Sequence, residues 1–251
     1  MLLHYLQCSI LLGNCQLEGL DVVFGVDMSS RSSKHFKSIK TFMSDFSKSL
    51  STHTKHLKLG SLKYGSEAVV TFPFKANAIG SSSLFFGMIE RLSVVDSGRS
   101  LDAALVTAYE MFFKPQHNRL ASAHLTVDRI KELITGGREK VIQDDRDQQN
   151  ISRKKLFVLL VAGDHINNGL DVLPKHAARL LYDLGVQIVV VAFNNNEISG
   201  DVKSITRNPV TDIFWTKEGS LPIPLLKSLC KRFGTRKYIV LCFYNIITFS
   251  S

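Results

Sequence analysis

Residues 21–33, DVVFGVDMSSRSS, decide the fold. Asp21 to Val26 is a β-branched and aromatic run bounded by Gly19 and by Asp27, which reads as a buried strand. A strand apolar on both faces belongs in the middle of a parallel sheet. Directly after it come an acid and hydroxyls, Asp27, Ser29 and Ser30, and then Arg31. In a doubly wound sheet, ligands bind beyond the carboxyl ends of the strands, so this loop is the first place to look for chemistry.

Working outward, Phe36, Ile39, Phe42, Met43, Phe46 and Leu50 recur at three- and four-residue spacing, which predicts an amphipathic helix over residues 32–50 with a basic outer face. Residues 57–64 and 68–74 read as a hairpin turning around Gly65 and Ser66. Residues 84–92 and 101–113 read as two more helices. The second half alternates strand and helix again: strands at 156–161, 186–193 and 212–215, helices at 172–184 and 221–233. Gly185 sits where a helix stop is wanted, and Pro222 and Pro224 lie near the first turn of the last helix. The pattern predicts an α/β doubly wound, mostly parallel sheet with one antiparallel edge strand and helices on both faces.

Three segments stand apart from this alternation. Residues 114–155 form a long helical and charged insertion, about forty residues where two to six are usual. It keeps a helical spacing at Val127, Ile130, Leu133 and Ile134, and carries an N-glycosylation sequon at Asn150. Residues 1–14 are apolar without a basic start and resemble a signal peptide only poorly, so a truncated leader is the other reading. Residues 234–251 form an apolar tail of unknown role; its run from Tyr238 to Phe249 is about half the ~20 residues that a membrane-spanning helix needs. The domain proper is expected over residues 15–233.

The 251 residues are 45% hydrophobic and 21% charged, which excludes disorder and collagenous repeat. Lysine and arginine number 31 against 22 acids, a net charge of +9 that favours polyanions as neighbours. No run of five like charges marks a nucleic-acid site, and no specific nucleic acid is expected as a partner. Phosphate-loop, dinucleotide, zincin and serine-hydrolase motifs are absent, so no catalytic residues are assigned. The four cysteines, Cys8, Cys15, Cys230 and Cys242, lie near the two ends and form no C-x-x-C pair, which leaves pairing between the ends open. The lone Trp215 and the phenylalanines Phe36, Phe42, Phe46, Phe112 and Phe113 are expected in the core.

DVVFGVDMSSRSS resembles the opening of a von Willebrand factor type A domain, whose first strand ends in an Asp-x-Ser-x-Ser loop. HLKLGSLKYGSEAVVTFPF is similar to that family's second and third strands, SGRSLDAAL to its loop into the third helix, and LFVLLVAGD with AARLLYDLGVQIVVVAF to its fourth strand, fourth helix and fifth strand. The resemblance runs from about Cys15 to Phe233 and is strongest to the type VI collagen and matrilin modules of the extracellular matrix. It implies a disulfide between Cys15 and Cys230, for which chain entropy suggests roughly 5 kcal/mol. It also implies a metal-ion-dependent adhesion site, in which acid and hydroxyl oxygens hold Mg²⁺ or Ca²⁺.

Asp27 and Ser29 match that site, but its next hydroxyl position falls on Arg31, its threonine position on Arg99, and its last aspartate on Ala162, with Asp164 beyond Gly163. No metal cofactor is therefore expected, and Arg31 or Arg99 is expected to pair with Asp27 as guanidinium with carboxylate. The resemblance implies a noncatalytic, secreted matrix module that binds matrix proteins such as collagens. Lys34, Lys37, Lys40, Lys55 and Lys58 add attraction to sulfated glycans. The alternatives are an intracellular scaffold module of the same family and a doubly wound enzyme for a phosphorylated ligand.

Overall fold

The computed structural model describes residues 5–11, 17–74, 81–94, 98–113, 153–162, 174–193, 198–216, 223–234 and 239–245. Cys15, Asn150, Asp164 and nearly all of the insertion lie outside them. The elements run β1 (Tyr5–Leu11), β2 (Leu17–Asp27), a 3-10 helix (Ser30–His35), α1 (Phe36–His53), β3 (Thr54–Tyr64), β4 (Ala68–Phe72), α2 (Ser81–Arg91) and α3 (Leu101–Phe113). They continue with β5 (Lys154–Val161), α4 (Pro174–Asp183), β6 (Val186–Ala192), α5 (Gly200–Ser204), α6 (Pro209–Asp212), β7 (Ile213–Trp215), α7 (Ile223–Phe233) and β8 (Ile239–Asn245).

Six strands form one sheet in the order β4-β3-β2-β5-β6-β7, with β4 antiparallel to β3 and the other pairs parallel. This is the mixed, doubly wound sheet that the alternation predicts. β2 lies between β3 and β5, and its residues alternate between two cores. Leu20, Val22, Phe24 and Val26 enter the layer that contains the buried residues of α1 and α2 and Leu225 and Leu229 of α7; Val23 enters the layer of α3 and α4. Gly25 also faces the second layer. A Cβ there would stand 2.7 Å from the ring of Phe157, so the missing side chain is what lets that ring lie across β2.

Local chemistry sets the ends of several elements. Ser100 caps α3: its Oγ accepts the Ala103 N–H at 3.2 Å, and its carbonyl accepts that of Ala104. After α4, Gly185 takes φ +74° and its N–H returns to the Tyr182 carbonyl at 3.0 Å, a left-handed helix stop that glycine adopts without penalty. On α7, Arg232 pairs with the buried Asp212 at 2.5 Å, fastening that helix to the β7 edge.

The structure departs from the sequence reading at the edges. β2 begins at Leu17, earlier than Asp21, because Leu17 and Leu20 are buried and pair with the start of β3. The short helices α5 and α6 were not expected. Trp215, expected in the core, is 49% exposed, because β7 is a three-residue edge strand and Trp215 is its last residue. Phe36 and Phe113 are half-buried, whereas Phe42, Phe46 and Phe112 are buried as expected. β1 and β8, from the two apolar ends, pair antiparallel in a sheet of their own, with Cys8 directly opposite Cys242 in the register.

Candidate functional site

β2 and β5 are neighbours, yet the chain leaves β2 through α1 toward β3 and leaves β5 through α4 toward β6. α1 and α4 cover opposite faces of the sheet. The crevice beyond the carboxyl ends of these two strands is therefore the topological switch point. β2 delivers Asp27 to it, and β5 delivers the carbonyl of Ala162, the residue after its last.

Asp27 and Ser29 are both fully buried, and Arg99 is 2% exposed. The Ser29 N–H donates to Asp27 Oδ1 at 2.9 Å, folding the loop back on its own acid. Arg99 enters from the loop before α3. Its Nε donates to Ser29 Oγ at 2.7 Å, and its Nη2 donates to the Ala162 carbonyl and stands 3.1 Å from Asp27 Oδ2. Oδ2 makes no hydrogen bond among the described residues, so its contact with Arg99 is one of charge. One guanidinium thus joins oxygens from the ends of β2 and β5.

Of the two arginines proposed for this role, the structure selects Arg99. Arg31 lies on the 3-10 helix and is exposed, while its neighbour Ser32 is buried and donates to the Ser29 carbonyl at 2.7 Å. Ser100, next to Arg99, spends its hydroxyl on the α3 cap. The contribution of the Ala162 carbonyl had no sequence signal, because a backbone oxygen belongs to no side-chain motif.

These residues do not fit the divalent cation that the fold family implies. Asp27 Oδ1 is engaged by a backbone N–H, and Ser29 Oγ, Asp27 Oδ2 and the Ala162 carbonyl all face a fixed positive charge. A divalent ion seeking hard oxygen ligands would have to displace a buried guanidinium. Among the described residues, no group of three or more His, Cys, Asp or Glu is placed to hold a metal.

Burial pushes the Asp27 carboxyl above its ordinary 3.8, outweighing the pull of Arg99 and of the Ser29 N–H in the other direction. Tyr64, fully buried, is also pushed well up, by burial first and then by the Asp27 charge; its neutral hydroxyl donates to the Leu160 carbonyl at 3.3 Å. The Asp27 shift has a defined sign in stability. Between pH 3.8 and the raised native value, the folded chain holds a proton that the unfolded chain has released. Stability from this group is therefore complete below 3.8 and is lost as pH rises through the native value. Denaturant titrations across that window should show the wild type falling relative to Asp27→Asn as pH rises; parallel curves would refute the assignment.

The other expected site residues do not form one patch. Lys34 lies on the 3-10 helix and Lys37 and Lys40 in the first turns of α1, whereas Lys55 and Lys58 lie on β3, after the helix's other end. Most of the 18-residue helix lies between Lys40 and the start of β3. Lys40 is partly committed: its Nζ donates to the Glu90 carbonyl at 2.6 Å and lies 5.4 Å from the Phe36 ring centroid. Cys230 is disulfide-bonded.

The sequence profile of the von Willebrand factor type A domain matches residues 21–144. That match covers just under half of the chain, and the mixed sheet with its packed helices is a fold like that of the family. Such domains are generally noncatalytic binding modules. No curated protein matches the chain. Among solved structures it is similar to proximal thread matrix protein 1 from the mussel byssus, described with a zinc-occupied MIDAS motif, at 15% identity and a TM-score of 0.54. That match covers 91% of this chain and 47% of the mussel protein, so the chain spans about half its length. The pilus adhesin SpaC from Lactobacillus rhamnosus GG matches at 12% identity and TM-score 0.53, covering 93% of this chain and 35% of that one. The conserved hypothetical protein BatB from Bacteroides thetaiotaomicron matches at 11% and 0.54, covering 85% and 98%. At these identities the likeness establishes the fold. In this chain the Arg99 guanidinium lies against Asp27 and Ser29.

Proposed function

We propose that this type A domain is a noncatalytic, secreted extracellular-matrix module of a type VI collagen-like chain, and that it binds matrix proteins such as collagens without a metal ion. The observation that carries metal independence is the Arg99 guanidinium, which makes contact with Asp27, Ser29 and Ala162 at the switch point. A disulfide at Cys230 supports an oxidising compartment, and Cys15 is its proposed partner. The matrix and adhesin character of the mussel and SpaC proteins agrees with this reading.

The test is surface plasmon resonance of the secreted chain over purified type VI and fibrillar collagens, with Mg²⁺ or with EDTA. Saturable binding that EDTA leaves unchanged is the expected result. Loss of binding in EDTA overturns metal independence, and no binding to either collagen overturns the matrix reading. Nonreducing peptide mapping of the same material should find Cys15 joined to Cys230 and glycan on Asn150; free thiols and a bare Asn150 would favour an intracellular scaffold.

A further inference from the structure

Beside the Asp27 loop lies a cleft of about 230 Å³ that the buried ion pair does not use. Its walls come from three places: Met28 just after β2, Lys63 and Thr71 on the β3–β4 edge, and Met88, Arg91 and Leu92 at the end of α2. Met28 and Leu92 are buried and Met88 is half-buried, so the floor is apolar and adaptable. The volume exceeds the ~150 Å³ of an engineered cavity that accepts a benzene ring. It has room for one apolar side chain together with a small polar group.

Lys63 is half-buried and Arg91 exposed, and neither forms an ion pair or a side-chain hydrogen bond among the described residues. The cleft lining contains no carboxylate. Two lysines of α1 that reach α2 are engaged: Lys40 with the Glu90 carbonyl, and Lys48 over the Phe86 ring at 5.6 Å. A concave apolar floor with a few convergent polar groups is the usual form of a recognition site. Two uncompensated cations fix the sign of what it takes.

We infer that this cleft receives an acidic segment of a protein partner, an apolar side chain entering between Met28 and Met88 while a neighbouring carboxylate meets Lys63 and Arg91. This deepens the binding-module reading and rests on it. The apolar floor favours a peptide over a sulfated glycan, which would bring charge and hydroxyls but nothing to bury against two methionines.

The test uses the whole chain labelled with ¹³C at the methionine methyls and titrated with acetyl-Leu-Glu-Leu-amide, with its glutamine counterpart, and with a sulfated heparin disaccharide. The glutamate peptide should shift the Met28 and Met88 methyls saturably in the millimolar range, with Met43 and Met111, buried in the two cores, unmoved. The glutamine peptide should bind at least ~10-fold more weakly. The Lys63→Gln/Arg91→Gln chain should lose the response without a change in thermal midpoint. Equal response to both peptides, the same shifts from the disaccharide, or no response at all would overturn the inference. The collagen surfaces separate the two readings. If the double variant binds them as the wild type does, the cleft inference falls and the module reading stands. If the wild type takes the glutamate peptide but no collagen, the cleft inference stands and the matrix reading falls.

Discussion

Arg99→Ala is expected to lower the free energy of unfolding at neutral pH by about 3–5 kcal/mol, the usual cost of removing one partner from a buried ion pair. The size follows from what the guanidinium leaves behind. Asp27 is fully buried, its Oδ2 has no hydrogen bond among the described residues, and Ser29 Oγ and the Ala162 carbonyl lose the donor they share. Arg99 is also the charge that restrains the upward shift of Asp27, so without it the carboxyl moves higher still. Part of the loss should therefore be recovered as pH falls and Asp27 takes up its proton. Replacing both partners at once removes the uncompensated charge, and Asp27→Leu/Arg99→Met should recover most of the stability. A double-mutant cycle by guanidinium chloride unfolding measures this coupling. If Arg99→Ala costs less than ~1 kcal/mol, or the double variant is no better than the single, the guanidinium is not the stabilising cation of the site.

The two halves of that ion pair were unequally legible in the sequence. Asp27 and Ser29 are adjacent to a strand whose apolar run announces itself, so their position at a sheet end follows from local pattern. Arg99 is 70 residues from Ser29, and nothing local distinguishes it from Arg31 as the partner of Asp27. The choice is made by the 3-10 helix, which turns Arg31 outward, and by the α3 cap, which fixes the loop carrying Arg99. The lysines show the same limit from the other side. Lys40 and Lys55 look close along the chain, but more than three turns of α1 lie between Lys40 and β3, where Lys55 sits.

Elements of the fold divide in the same way. α1 was readable because its buried residues, Ile39, Phe42, Met43, Phe46 and Leu50, sustain the helical period over several turns. α5 and α6 have five and four residues, too few for any period, although Ser199 accepting from the Val202 N–H and Asn208 followed by Pro209 are ordinary helix-start signals. Trp215 misleads for a different reason. Composition marks β7 as a strand, but only the sheet order places it at an edge, where its last side chain is exposed. Pairing of β1 with β8 joins segments at opposite ends of the chain, and no local pattern specifies such a partner.

Phe24→Ala should cost about 3–5 kcal/mol, by a mechanism independent of charge. Phe24 is fully buried on the central strand β2 and joins two helices through their aromatic rings. Its ring meets Phe46 of α1 edge-on, with centroids 6.2 Å apart and planes at 88°, and meets Phe85 of α2 at 5.8 Å. Phe46 in turn stacks on Phe42 at 5.3 Å, and Phe85 packs against Phe72 of β4 at 5.3 Å. Removing the central ring leaves a void bounded by a hydrogen-bonded sheet on one side and by rings held by other rings on the other, so little of it can close. Against a typical total of about 5–15 kcal/mol, that is a large share of what holds a domain folded. The exposed Val210, at 89%, supplies the control, since Val210→Ala should change stability by no more than about 0.5 kcal/mol. The Phe24→Ala deficit should also be the same at pH 5 and pH 8 within about 0.5 kcal/mol, because a cavity in an apolar layer has no proton to exchange. A deficit below ~1 kcal/mol would mean that α1 and α2 can collapse onto β2, and that the aromatic cluster is softer than its ring contacts indicate.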